Sequence, residues 1–139
     1  MDDTQREKLA EFRQKASERD TAEQEASDLR ELESHELVAT LETKGLKHGS
    51  DFEIINNRLG GVYAIRKPDG RAIRNWEQAS EKNKLSLEWQ IGLLRHYIEP
   101  QDKAVLWAQT CAQRPGLCWQ TADRFVEMMS VDREGLARK

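Results

Sequence analysis

Hydrophobic positions recur at helical spacing along most of this chain, and the rhythm breaks in one place, Phe52 to Gly70. There, two short runs rich in β-branched and aromatic residues, Phe52-Glu53-Ile54-Ile55 and Val62-Tyr63-Ala64-Ile65, flank a polar loop ending in Gly60-Gly61. That pattern predicts a β-hairpin over about 52–67. Phe52 and Ile54 fall on one side of the first strand, with Glu53 and Ile55 on the other, and Val62, Ala64 and Arg66 alternate with Tyr63, Ile65 and Lys67. Pro68-Asp69-Gly70 closes the second strand with a turn.

Before the hairpin, Asp2 to about Ser27 consists of charged helix formers whose only large apolar groups are Leu9 and Phe12. A helix of that kind has no face to bury in a monomer and becomes firm when a partner covers it. Ser27 or Asp28, with Glu31 in capping-box position, is expected to start a second helix. Leu29, Leu32, Val38 and Leu41, with Leu37 alongside, form its expected buried stripe, and Lys44-Gly45 its stop. After the hairpin, Ile73, Trp76 and Ala79 predict a short helix over about 71–80. Leu87, Ile91, Leu94 and Ile98 predict a strong one from Leu85 or Ser86 to Glu99, ended by Pro100. Asp102 is placed to cap a helix carrying Val105, Leu106, Ala108 and Cys111, and a last helix runs from about Leu117 to Ser130. The expected fold is α+β and mostly helical, a two-stranded hairpin packed by amphipathic helices and preceded by an acidic N-terminal helix. The expected divisions are a charged extension over 1–27, one small domain over 28–130 and a polar tail over 131–139.

Composition narrows the function classes. With 139 residues, 37% hydrophobic and 34% charged, the chain supports one modest core. The net charge of −3 conceals an asymmetry. Met1 to Lys44 carries seven Lys/Arg against thirteen Asp/Glu, and the remainder fifteen against twelve. Neither part is basic enough for a nucleic-acid footprint. No apolar run is long enough for a bilayer, and the acidic start is no secretory signal, so cytoplasmic residence is expected. Cys111 and Cys118 are expected to be buried thiols, and no Cys or His set has the spacing of a metal site.

The chemistry-bearing residues yield no catalytic set. The acids are scattered, and His35, His48 and His96 have no nucleophile partner at motif spacing. Gly60-Gly61 leads into a strand, whereas phosphate-binding glycines lead into a helix. No cofactor is expected. Arg66, Lys67, Arg71 and Arg74 form a basic cluster near Tyr63 and Trp76. Such a cluster suits single-stranded nucleic acid or, as the favoured reading, an acidic helix of this chain or another. The helices around Arg114-Pro115-Gly116 suggest a helix-turn-helix, but the second, with one arginine and two acids, does not suit phosphates. Trp76 and Trp107 belong on core stripes. Trp89 and Trp119 fall off theirs and are candidates for an exposed contact surface.

The order of "GGVYAIRKPDGRAIRNW", "LLRHYIEP" and "AQRPGLCWQTADRFVEMM" resembles the small tail assembly chaperones of long-tailed bacteriophages and related particles. The resemblance covers roughly 44–130. It lies in the strand ending in Arg66-Lys67-Pro68, the apolar helix closing at Pro100, and the last helix after Arg114-Pro115-Gly116-Leu117; the acidic extension is outside it. It implies a non-enzymatic protein that oligomerises and coats a long, helical tape-measure protein before the tail tube forms, often with a longer frameshifted product. The partner-binding residues expected on this reading are Arg66, Lys67, Arg71, Arg74, Trp89 and Trp119. The alternative is a small nucleic-acid-binding regulator using Arg66 to Arg74.

Overall fold

In the computed structural model, which describes the backbone of residues 2–137 and the side chains through Met129, a single helix, α1, runs from Asp3 to Thr43. Asp2 caps it in a capping box with Gln5. The break expected at 27–28 is absent. No Gly or Pro interrupts the run, and the Asp28 carboxylate accepts a hydrogen bond from Gln24 Nε2 (3.0 Å) on the preceding turn in place of capping a new helix. At 1.5 Å per residue α1 is about 60 Å long.

The hairpin follows as β1 (Phe52–Asn57) and β2 (Gly61–Arg66), antiparallel, with Phe52 opposite Arg66 and Ile55 opposite Tyr63. Gly61 has φ +76°, a conformation that glycine adopts without the penalty of a Cβ. Then come α2 (Gly70–Glu81), capped by Asp69, and α3 (Leu87–Leu94), capped by Ser86. The helix expected to reach Glu99 stops at Leu94. A 3-10 turn at Arg95–Tyr97 leads into a two-residue strand, β3 (Ile98–Glu99), which pairs with β2 and makes a three-stranded antiparallel sheet of order β1-β2-β3. The proline ring of Pro100 disfavours helical geometry at Glu99, so an apolar run that reads as helix ends as strand. The two-stranded hairpin of the sequence reading is corrected accordingly.

A second 3-10 turn, Gln101–Lys103, precedes α4 (Ala104–Gln113), and α5 begins at Pro115, where the missing N–H costs nothing, and runs to Ala137. Asp102 does not cap α4, which has no side-chain cap. Lys103 instead sends Nζ to the Val62 carbonyl (2.8 Å), tying this turn to β2. Of the expected polar tail, 131–137 continue α5, their side chains lie outside the described ones, and 138–139 lie outside the described residues.

Both faces of the sheet are covered. Phe52 and Ala64 pack with Leu41, flanked by Leu37, Val38, Leu46 and Ile54, and so hold the C-terminal part of α1. Ile55, Tyr63, Ile65 and Ile98 turn the other way into the main core with Trp76, Leu94, Trp107, Leu117 and Phe125. Cys111 and Cys118 are buried there as free thiols. The Cys111 thiol, hydrogen-bonded to Cys118 and desolvated, is held well above the usual thiol range. Leu29 and Leu32, expected in the buried stripe of α1, are 60% and 54% exposed. Around the helix Leu32 is half a turn from Leu41 and Leu29 a third of a turn, and Arg30 and Ser34 take the inward positions, with Arg30 Nε donating to Asn56 Oδ1 (3.0 Å). Val105 and Leu106 on α4 are 66% exposed each.

Candidate functional site

The basic cluster does not form one surface. Arg66, at the end of β2, is half-buried. Its Nη2 donates to the His96 carbonyl (2.6 Å), Nε lies 3.2 Å from Glu99 Oε1, and the guanidinium sits over the Tyr97 ring at 5.5 Å. This is an internal clamp joining β2 to the 3-10 turn and β3. Reversing the charge of Arg66, expected from sequence to be a partner-binding residue, acts on that clamp. Arg66→Glu is expected to destabilise by about 1–3 kcal/mol in denaturant titration, because the guanidinium is replaced by a carboxylate facing Glu99 and a carbonyl. Arg66→Met, which keeps the stem, is expected to cost less.

Lys67 is exposed. Its backbone N–H donates to the Asp51 carbonyl (2.8 Å), and its side chain borders a cleft of about 370 Å³ with Glu53, Arg124 and Glu127. Both signs of charge line that cleft, so it has no field that would select an anion. Arg71 and Arg74 are exposed on α2. Asp69, Arg66 and Arg71 all act on Tyr97, whose hydroxyl is raised above its ordinary range first by burial and next by the Asp69 charge.

The two tryptophans separate as well. Trp89, expected to be exposed, is half-buried with its ring edge against Trp76 (centroids 5.5 Å apart), and it forms one wall of a cleft of about 580 Å³ with Lys82, Lys84 and His96. Trp119 is 57% exposed at the start of α5. It sits beside the hairpin tip. Gln120 Oε1 accepts from Asn57 Nδ2, and Leu117 packs so closely on Gly60 that a Cβ there would lie 2.9 Å from Leu117 Cδ1. The tip itself carries Leu59, 54% exposed.

Alongside this tip runs α1. Arg30 meets Asn56 and Glu23 lies 3.9 Å from Arg58, so the helix passes the turn near Glu23 and continues beyond it. Residues 3–22 are exposed apart from half-buried Ala16. In this projecting part, Phe12 and Ala16 each precede an inward-facing residue, Arg30 and Ser34, by 18 positions, which is five full turns. Leu9, Phe12 (69% exposed) and Ala16 therefore continue the packed face of α1 past the end of the sheet, where nothing covers it among the described residues.

Compared with protein-family models, curated proteins and solved structures, the chain has no match. The candidate site is a projecting helix with an uncovered stripe, together with exposed Leu59 on the hairpin tip and exposed Trp119 on the adjoining start of α5. Among the described residues there is no cluster of three potential metal-ligating side chains, and no helix is long and apolar enough to cross a membrane. Sequence reasoning identified Leu9, Phe12 and Trp119 individually. It missed their placement at one end of the molecule, and the signal that could have found it was the 18-residue interval between the Leu9–Ala16 stripe and the Arg30–Leu41 face.

Proposed function

We propose that this chain is a non-enzymatic binding protein of the tail-assembly-chaperone kind, which oligomerises and coats a long helical partner of the tape-measure type. The observation that carries this reading is the projecting half of α1. About 20 residues of helix extend some 30 Å past the sheet with an apolar stripe in solvent, and most of a helix's stability in a protein comes from packing such a face. Such a segment gains its stability from another helix laid against it. Trp119 and Leu59, an exposed aromatic and an exposed aliphatic on two segments joined by the Asn57–Gln120 hydrogen bond, supply a contact suited to a second helical ligand. The Arg66 clamp speaks against the nucleic-acid alternative, because it removes the first residue of the cluster from the surface.

The test is co-expression with a candidate tape-measure-type protein encoded beside this one. A soluble complex that survives affinity purification and size exclusion is expected, and Trp119→Ala is expected to reduce its yield several-fold while leaving the circular dichroism melt unchanged. Separate elution of the two wild-type proteins would remove the reading.

A further inference from the structure

The projecting stripe has a matching surface on the same helix. Over 6–19, α1 carries Arg6, Lys8, Arg13, Lys15 and Arg19, and at 3.6 residues per turn these flank the Leu9–Phe12–Ala16 stripe while Glu7, Glu11 and Glu18 lie on the back. Over 20–42 the balance reverses: eight acids stand against Arg30 alone, and Arg30 is turned inward to Asn56. The outward face of that acidic half presents Leu29 and Leu32 between Glu25 and Glu36, all exposed. An apolar pair spaced by three and rimmed with cations in one half thus answers an apolar pair spaced by three and rimmed with carboxylates in the other.

We infer that α1 is a head-to-tail assembly element: the Leu9–Phe12 face of one copy docks in parallel on the Leu29–Leu32 face of the next, staggered by 20 residues. The stagger is fixed by the residues themselves, since it sets Leu9 against Leu29 and Phe12 against Leu32 in one register. In that register Arg6 falls beside Asp28, and Lys15 beside Glu33 and Glu36. The two faces are about 160° apart around the helix and in opposite halves, so each copy gives one face and receives with the other. A two-fold pair cannot use both at once. The contact is heterologous, and successive copies are related by little more than a shift of about 30 Å along α1. The receiving helix ends at Thr43, which in this register lies level with Glu23 of the giving copy, where its hairpin tip begins; the docked helix therefore fits the space beneath the projection. An open row of copies with that repeat is the geometry a coat along a linear partner requires, so the inference deepens the oligomerising part of the proposed function and rests on it.

The experiment uses the chain alone, which keeps its failure separate from failure to bind a tape-measure-type partner. Sedimentation velocity is run on wild type at low and high ionic strength, on Leu9→Glu/Phe12→Glu, on Leu29→Glu/Leu32→Glu, and on an equimolar mixture of the two variants. Wild type is expected to grow beyond two chains with concentration and to shrink with salt. Each variant alone stays a single chain, and the mixture forms a one-to-one pair that grows no further, because one partner retains the giving face and the other the receiving face. All four substituted positions are solvent-accessible, and helix content by circular dichroism confirms that each variant is folded. A wild type that remains a single chain throughout overturns the inference. So does a Leu29→Glu/Leu32→Glu variant that assembles like wild type, which would mean a stripe-to-stripe contact, and so does a mixture that fails to pair.

Discussion

Phe125→Ala is expected to cost about 3–5 kcal/mol, enough to lower Tm by roughly 10 °C or more, whereas Trp119→Ala, only six positions earlier on the same helix, is expected to stay within about 0.5 kcal/mol of wild type. Phe125 is fully buried, and its ring is 5.8 Å from Trp76 on α2 and 5.1 Å from Tyr97 in the 3-10 turn after α3. Through it α5 touches two segments distant in sequence. Truncation removes the apolar area and leaves a space that two further aromatics, one on a 3-10 turn, cannot fill by small shifts. Trp119 has the larger side chain but faces solvent over more than half its surface. The contrast separates core aromatics from contact aromatics by measurement: thermal unfolding followed by far-UV circular dichroism for both variants. A Trp119→Ala protein that melts as early as Phe125→Ala would place Trp119 in the core and take away its role as a contact.

What could be read from the sequence was whatever is decided locally. The hairpin bounds and the identity of Trp76, Trp107, Leu94 and Phe125 as core follow from alternation and 3.6-residue spacing. The failures share a different physical origin. Ile98 has helical spacing from Leu94 yet pairs as strand with Ile65, because Pro100 and the open edge of β2 together outweigh propensity over two residues. Arg66 reads as a surface cation, and only the fold brings the His96 carbonyl, Glu99 and Tyr97 to it from 30 residues away. Leu29 and Leu32 read as core because apolar spacing alone does not fix which side of a helix meets the sheet; Arg30, reaching Asn56, marks the true inward face. The candidate site was the least legible part. Its elements, Phe12, Leu59 and Trp119, are unremarkable singly and acquire meaning from lying at one end of the molecule.

Thr121→Val is expected to destabilise more than Tyr63→Phe, although valine copies the shape of threonine. Thr121 is fully buried and central to a polar knot inside the main core. Its hydroxyl donates to the Leu117 carbonyl (2.9 Å), and its oxygen receives the Tyr63 hydroxyl (2.8 Å) and Trp107 Nε1 (3.3 Å). With its single proton committed to Leu117, the oxygen acts as acceptor for both rings. Valine strands two buried donors on β2 and α4, at about 1–3 kcal/mol each, whereas phenylalanine at 63 leaves Thr121 with two of its three partners and costs about 1 kcal/mol. The double variant should lose less than the sum, since the Tyr63 hydroxyl stranded by valine is gone. The same knot sets an alkaline limit. Burial pushes the Tyr63 hydroxyl up to about 12 from its ordinary 10.0. A folded-state value above the unfolded one means that the stabilisation is fully present below pH 10 and is lost as pH rises from 10 toward 12, since the unfolded chain gives up that proton first. Urea midpoints measured across that window should fall more steeply for wild type than for Tyr63→Phe. Parallel curves would show that Tyr63 ionises as easily in the folded protein as in the unfolded chain, and that the knot does not close around it.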